Sequence, residues 1–451
     1  MEANVLPLYE QLYREVVADI RAGRLREGDK LPSKRALCVQ RGVSQSTVEG
    51  AYGLLVAEGY IKALPRSGYR VCELLALDVP DTPRQTIRSA AVEPPTLDNC
   101  FSTGLVDASI FPYSMWARLM RQAVQEPELL QRGHPQGDLS LREALCGFLH
   151  QYRGVNCRPE QVVVGAGMEY LLDILFQLLP LSPIALENPG YHSTYRSVEN
   201  LHREFVPIPP DEHGMRPDAL IASGAGAAYV TPSHQFPLGV TMPATRRAEL
   251  LRWAYGVEGR YIVEDDYDSE FRYASRPIPA MQGQDQGGRV IYTGTFSRSI
   301  APSIRAAYLI LPESLLPAYR EKFAHGASTV SRFEQWVLSR FLSSGQYARH
   351  LRRVGNLYRA RCAALTAALE EAFPEGRVTG NDAGLHLLFT LTGREDEQMV
   401  KAAAGAGYAV HALSEYCHGP SPLPGTLVLG FAGLDEGRAQ SAVNDLKRAI
   451  G

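Results

Sequence analysis

Between residues 161 and 310, short apolar runs alternate with helical stretches, and this alternation constrains the fold more than any other feature of the chain. The runs are Gln161–Val164, Ile184–Glu187, Ala228–Thr231, Tyr261–Glu264, Val290–Tyr292 and Ala307–Ile310. Each has the length of a strand, and together they carry the pattern of strands buried on both faces. Strands separated by helices predict a mostly parallel sheet covered on both sides, an α/β architecture. After about Tyr319 a helix-rich stretch leads to strand-like runs near His386–Leu391 and Thr426–Phe431, which predict a smaller C-terminal α+β lobe. There is no internal repeat.

The first 75 residues follow another pattern. Leu8, Leu12, Val16 and Ile20 recur at four-residue spacing and predict a helix that Gly23 can end. Ser33 can cap a second helix, Lys34–Arg41, closed by Gly42. Ser44 can cap a third, with Val48, Tyr52 and Leu55 facing inward and Gln45, Ser46 and Glu49 outward. Tyr60–Ala63 and Tyr69–Cys72 then read as a hairpin whose tip carries Arg66. Beyond it periodicity fades and prolines recur (Pro80, Pro83, Pro94, Pro95). The expected division is a helical unit over 1–75, a linker over 76–98, a large domain over 99–320 and a small one over 321–451.

With Lys+Arg 46 against Asp+Glu 49 the net charge is -3, so affinity for nucleic acid must come from a local basic patch. The seven cysteines are an odd, scattered set without a CxxC pair, which argues against a disulfide framework or zinc knuckle and for a reducing compartment. MEANVLPLYEQL lacks the pattern of a secretory signal. The greasiest segment, near Tyr170–Leu186, is broken by Asp173, Gln177, Pro180 and Pro183. A cytoplasmic protein with no membrane partner is expected.

LPS-x-R at 31–35, GVS-x-x-TV at 42–48, AY-x-x-L-x-x-EG at 51–59 and the Gly-bearing hairpin make the first unit resemble the winged-helix domain of the GntR family. The resemblance implies double-stranded DNA as partner. Ser33, Lys34 and Arg35 would lie near a phosphate strand, Ser44, Gln45, Ser46 and Thr47 would enter a major groove, and Arg66, Ser67 and Gly68 would form the wing. The plainer alternative is a set of solvated polar faces on a small module. Some family members carry arginines at the positions of Gln45 and Glu49. Here base readout should lean on Gln45, which can pair with adenine, and affinity on Arg35, Lys34 and the wing. Cys38 reads as core.

From about Phe101 onward, FPYSMW, HPQGDLSLREAL, VVVGAGMEYLLD, ENPGYHSTY, YVTPSHQFPLG, IVEDDYDSEFRY and GTFSRSIAPSIRAAYLILP resemble the fold-type I, pyridoxal-phosphate-dependent aminotransferases. The closest likeness is to the MocR branch of GntR regulators, in which that fold follows a winged helix. A turn at Gly165, Ala166, Gly167 and Met168 can present N–H groups to a phosphate. The resemblance implies that Tyr191 stacks on the pyridine and that Thr295, Ser297 and Arg305 complete a phosphate cup. Asp265 and Tyr267 share one face of a strand, and the resemblance aims them at the ring nitrogen and phenolic oxygen, with His234 and Gln235 as candidates for the same edge. Taken singly, Glu264, Asp265 and Asp266 could equally be a solvated strand end or a metal site, and Tyr191 could be core.

The family's Schiff-base lysine lies between the residues matching Ser297 and Ser299, and here that residue is Arg298. A guanidinium stays protonated and offers no free amine. After Lys62 the chain has only Lys322, Lys401 and Lys447, so turnover is not expected and pyridoxal phosphate would bind non-covalently or have been lost. Arg298 reads either as drift or as a fork for a phosphate or carboxylate. Where relatives place an arginine for the substrate carboxylate, this chain offers Thr426; His411 and His418 are weak further candidates. The resemblance implies a head-to-tail homodimer that senses a small-molecule effector. An aminotransferase with an accessory DNA-binding domain and a non-sensing dimerisation scaffold are the alternatives.

Overall fold

A computed structural model describes residues 6–65, 67–73, 97–273 and 278–451. The chain divides into two compact units, Met1–Glu93 and Pro94–Gly451. All but residues 97 and 98 of the expected linker lie outside the described residues. Among the described residues no helix is long and apolar enough to cross a membrane.

The first unit consists of helices α1 (Leu8–Arg21), α2 (Lys34–Arg41) and α3 (Gln45–Ala57) and strands β1 (Ile61–Leu64) and β2 (Gly68–Val71). The caps form as expected. The Ser33 hydroxyl accepts from the Ala36 N–H and that of Ser44 from the Thr47 N–H, both at 3.2 Å, while Gly42 ends α2 with φ 65. Val48, Ala51, Tyr52 and Leu55 of α3 are buried, and the Tyr52 hydroxyl donates to the Pro32 carbonyl at 2.8 Å. In α1 the stripe differs from its expected form: Leu12, Val17 and Ile20 are buried and Leu8 is 59% exposed. A four-residue step overshoots one turn by about 40°, so a stripe of three steps spreads around the helix: Leu8 at its start falls outside the core face, and Val17 is buried beside the half-buried Val16. β1 and β2 pair antiparallel from Ile61↔Val71 to Leu64↔Gly68; Arg66 at their tip lies outside the described residues.

The second unit is built on a seven-stranded sheet. Its strands are β3 (Val162–Gly165), β4 (Ile184–Glu187), β5 (Phe205–Ile208), β8 (Ala227–Val230), β9 (Tyr261–Asp266), β10 (Val290–Thr295) and β11 (Ala307–Ile310), in the order β3-β11-β10-β9-β8-β4-β5. A separate ribbon pairs β6 (Pro210–Asp211) with β7 (Gly214–Met215). All six expected strands form. β11 runs antiparallel to β10 and β3, while the other pairings are parallel. The short 296–306 connection explains the reversal, because a parallel crossover needs a dozen or more residues. β5 escaped the sequence reading because it is a half-exposed edge strand interrupted by Pro207.

Adjacent residues of β3 show why the sheet is apolar on both faces. Val163 packs with Leu171, Leu175 and Leu309 on one side, and Val162 and Val164 pack with Leu145, Leu149 and Phe341 on the other. The smaller sheet comprises β12 (Arg377–Thr379), β13 (His386–Thr390), β14 (His411–Ala412) and β15 (Thr426–Gly430) in the antiparallel order β12-β13-β15-β14. Its core includes residues of helices Gln346–Ala372 and Glu436–Ile450, together with Phe101 and Ile110.

A buried ion pair ties the large sheet to its covering layer. Arg153, at the end of helix Leu139–Arg153, meets Asp266 of β9 through Nε–Oδ2 at 2.8 Å and Nη2–Oδ1 at 3.2 Å; the side chains are 4% and 2% exposed. Tyr292 also donates to Asp266, and the arginine donates to Ser233 Oγ at 2.9 Å. Removing one partner strands the other charge. Asp266→Ala should therefore lower unfolding free energy by about 3–5 kcal/mol in denaturant titration; a loss below about 1 kcal/mol would show that the pair does not anchor β9.

Candidate functional site

On the helix-turn-helix, Gln45 and Glu49 lie one turn apart on the exposed face of α3. The Gln45 amide donates to the Glu49 carboxylate at 3.2 Å, and Lys34 Nζ of α2 reaches the same oxygen at 3.3 Å. These two contacts, Gln45 first, draw the Glu49 carboxyl below its ordinary range. The sequence reading treated Glu49 only as outward-facing; its i,i+4 spacing from Gln45 was the available signal. The Ser44 hydroxyl lies 2.9 Å from that of Ser46 and 2.8 Å from that of Thr47. Arg35 is exposed, as is Gly68, and Ser67 is half-buried.

In the second unit, the C-terminal ends of the parallel strands open onto a cavity of about 210 Å³. It is lined by eight of the expected residues: Met168, Tyr191, Asp265, Tyr267, Thr295, Ser297, Arg298 and Arg305. Gly104, Glu169, Thr231, Phe236 and Pro302 complete the wall; the sequence reading did not single them out. Gly165, Ala166, Gly167 and His234 stand behind it. Tyr191 precedes helix His192–Asn200 and meets Phe236 edge-on at 5.8 Å.

Asp265 projects from β9 between hydroxyl donors on the flanking strands: Tyr229 of β8 bonds one carboxylate oxygen and Thr293 of β10 the other, the latter at 3.0 Å. Tyr267, two residues on, has its hydroxyl 3.1 Å from Nδ1 of His234, and that nitrogen is 2.9 Å from Asp268. His234 thus supports Tyr267 rather than lining the cavity itself. Gln235 holds its own loop, donating to the carbonyls of Pro189 at 2.9 Å and Phe236 at 2.7 Å. Ligand atoms of His234, Asp268 and His386 lie within 4.8 Å of one another. Asp268 takes His234 Nδ1, and the Pro237 carbonyl takes His386 Nε2 at 2.9 Å, while His234 Nε2 has no hydrogen-bond partner among the described residues.

Around Arg305, Thr295 and Ser297, the residues expected to hold a phosphate, side chains of the chain bond one another. Arg305 has a left-handed backbone, φ 48, and its guanidinium lies so close over Gly167 that a Cβ there would be 2.3 Å from Nη2. Only glycine leaves that room. Arg305 pairs with Glu169 of helix Met168–Leu178 at 2.8 Å, the Ala166 N–H donates to the Thr329 hydroxyl at 3.0 Å, and the Thr295 hydroxyl donates to Ser297 Oγ at 3.1 Å. Arg298 is half-buried and donates to the Thr103 carbonyl beside Gly104. Thr426 is fully buried and 2.8 Å from the Thr390 hydroxyl inside the small sheet. His411 pairs with Glu415 at 2.8 Å on the surface, and His418 packs on Tyr195.

A winged helix-turn-helix joined to a strand-end cavity of this design defines a transcription regulator with an aminotransferase-like domain. Residues 8–71 match the bacterial regulatory proteins of the gntR family, and residues 105–446 match aminotransferase class I and II. The HTH-type transcriptional regulator YdeL of Bacillus subtilis is 39% identical over 98% of this chain and 97% of its own length. The probable rhizopine catabolism regulatory protein MocR of Rhizobium meliloti is 34% identical over 99% and 94%, and the pyridoxine biosynthesis regulator PdxR of Corynebacterium glutamicum 33% over 98% and 95%. The chain belongs to the MocR-type GntR regulators. Among solved structures, an archaeal alanine:glyoxylate aminotransferase superposes with TM-score 0.71 at 23% identity, covering 78% of this chain and 90% of its own. The multiple substrate aminotransferase of Thermococcus profundus gives 0.70 at 27%, covering 80% and 92%.

Buried acids dominate the electrostatics around the cavity. Burial raises the carboxyl of Asp265 to about 6 and those of Glu187 and Glu264 to about 7. Glu264 accepts from the Met281 and Gln282 N–H groups at 2.7 and 2.8 Å. Glu187 accepts from Thr231 through Oε2, and its Oε1 has no hydrogen-bond partner among the described residues. With its folded value above its ordinary 4.5, Glu187 holds its proton more tightly in the folded chain. Its contribution to stability is full below pH 4.5 and is lost as pH rises through about 7. Across that window the wild type should lose on the order of 3 kcal/mol more stability than Glu187→Gln in denaturant titrations. A difference between the two proteins that does not change with pH would contradict the assignment.

Proposed function

We propose that this regulator reads double-stranded DNA through α3 and the wing, forms a head-to-tail homodimer through its large domain, and is gated by a small molecule held non-covalently in the cavity. Effector binding would shift the large domain between two states and so reposition the winged helices. The observation that carries the non-covalent reading is Arg298. It lines the cavity with Tyr267 and Asp265, and among the described residues no lysine does. By its place in the motif GTFSRS it stands where the aminotransferases carry the cofactor-attaching lysine.

The residues suit pyridoxal phosphate, or an amino-acid-like relative, as a reversible ligand and do not suit its covalent attachment. Asp265 would hold a ring nitrogen, Tyr267 a phenolic oxygen, Tyr191 the ring face, and Thr295, Ser297 and Arg305 the phosphate. In catalytic relatives the cofactor supplies an electron sink to a substrate amine. Here Asp265 orients, Tyr267 and Phe236 exclude water, and Arg298 offers donors to a carboxylate or phosphate. A non-sensing scaffold is favoured by one observation, the Glu169–Arg305 pair, which places a carboxylate against the expected phosphate ligand.

On DNA, Arg35→Ala should weaken binding to all sequences and reduce the salt slope by about 1, whereas Gln45→Ala should change base preference at one position of each half-site. Equal losses on all DNA from both variants, measured by fluorescence anisotropy at several salt concentrations, would contradict this division. In the cavity, Glu169→Gln should free Arg305 and tighten pyridoxal phosphate about tenfold, the scale of one charge-assisted contact. Arg298→Lys should yield a borohydride-trapped adduct on the peptide carrying residue 298, which the wild type lacks. Unchanged affinity in the first variant together with no adduct in the second would establish the scaffold reading.

A further inference from the structure

Cys146 lies midway along helix Leu139–Arg153, and the left-handed Gly154, φ 67, turns the chain back at the helix end. Cys157 is thereby carried alongside the helix, where its S–H donates to the Cys146 sulfur across 3.5 Å. Both residues are half-buried. Cys362 and Cys417, by contrast, donate to the carbonyls of Asn381 and Leu413 at 3.4 and 3.3 Å. In the sequence the two belong to a scattered set without a CxxC pair, and the fold brings them together across eleven residues.

At 3.5 Å the two sulfurs are in van der Waals contact, and an approach of about 1.5 Å brings them to the length of a disulfide, about 2.05 Å. Their surroundings also differ. The donated S–H of Cys157, with the charge of Arg142 one turn earlier, draws the Cys146 thiol below its ordinary value against burial and the nearby Glu160 and Glu143. The bond to Cys146, with burial, pushes the Cys157 thiol up. In this contact Cys146 is the accepting sulfur, and a donated hydrogen favours the thiolate of the sulfur that accepts it, which makes Cys146 the attacking thiol and Cys157 the resolving one. Cys146 keeps partial exposure of its own, and Cys157 lines a surface cavity of about 500 Å³ with Asn156, Arg158 and Gln282, so a small oxidant can approach the pair.

We infer that Cys146 and Cys157 form a modification site that hydroperoxides oxidise to an intrachain disulfide. The Cys146 thiol loses its proton and the thiolate attacks the terminal peroxide oxygen; the O–O bond breaks, the OH stays on sulfur as a sulfenic acid, and the alkoxide or hydroxide leaves and takes up the proton that Cys146 gave up, as alcohol or water. The Cys157 sulfur then attacks the sulfenic sulfur, the S–S bond forms, and hydroxide leaves with the Cys157 proton as water. Two thiols are oxidised by two electrons and one hydroperoxide is reduced. The segment closed by the bond contains Arg153, the partner of Asp266, so oxidation would stiffen the anchor of β9.

The test uses the full chain treated with hydrogen peroxide, then blocked with maleimide and digested. The expected result is loss of two of the seven thiols, recovery of the linked 146 and 157 peptides lighter by two hydrogens, and full reversal by dithiothreitol. In Cys157→Ser the reaction should stop at a dimedone-reactive sulfenic acid on Cys146, whereas Cys146→Ser should give no adduct at Cys157. The inference is overturned if wild-type Cys146 and Cys157 both remain maleimide-reactive while other cysteines oxidise. It is equally overturned if wild-type Cys146 accumulates the dimedone adduct without linkage.

Discussion

The contact between Arg153 and Asp266 fixes the strand on which the cavity is built. β9 ends in three successive acids, and the pleat of a strand sends neighbours to opposite faces. Asp266 takes Arg153 and Tyr292, and Glu264 takes two main-chain N–H groups from 281 and 282. With both neighbours held on one side, Asp265 is left on the other, where Tyr229 and Thr293 bracket it. A run that looks from the sequence like a solvated strand end is thus buried throughout, at 0%, 5% and 5% exposure. Three carboxylates in a row are tolerated because each has its own set of donors.

Local signals carried most of the fold. Ser33, Ser44 and Gly42 act where their chemistry places them, and the apolar runs become strands because burial on two faces leaves little latitude for polar residues. The sequence reading failed where tertiary context overrides a local pattern. β5 and β12 are partly exposed edges, and the four-residue stripe of α1 drifts off its helix face. In the cavity, alternation in VEDDYD put Asp265 and Tyr267 on one side. His234 was aimed at the ring by resemblance, yet the fold sets it behind Tyr267, 3.1 Å from the hydroxyl.

The remaining wall of the cavity was not legible, because its members meet only through the fold. Arg298 bonds the carbonyl of Thr103, 195 residues away, and Thr329 reaches the Ala166 N–H across 163. Glu169 belongs to a helix whose first turn was read only for its N–H groups, and its pairing with Arg305 depends on a left-handed turn at 305. Glu49 and Glu169 play parallel parts in the two units. Each is an internal carboxylate on a cation, Lys34 in one unit and Arg305 in the other. On the proposed function, an incoming phosphate would have to replace that carboxylate rather than meet a free ammonium or guanidinium.

The proposed reading of the second unit as a reversible sensor rests on a cavity lined by Asp265, Tyr267 and Tyr191 together with Arg298. Calorimetric titration of the full-length chain with pyridoxal phosphate, followed simultaneously by absorbance, tests this most directly. Saturable heat with the spectrum of the free aldehyde is the result expected of a reversible sensor. Saturation accompanied by the spectrum of a lysine-bound cofactor, or the absence of any saturable heat, would contradict it.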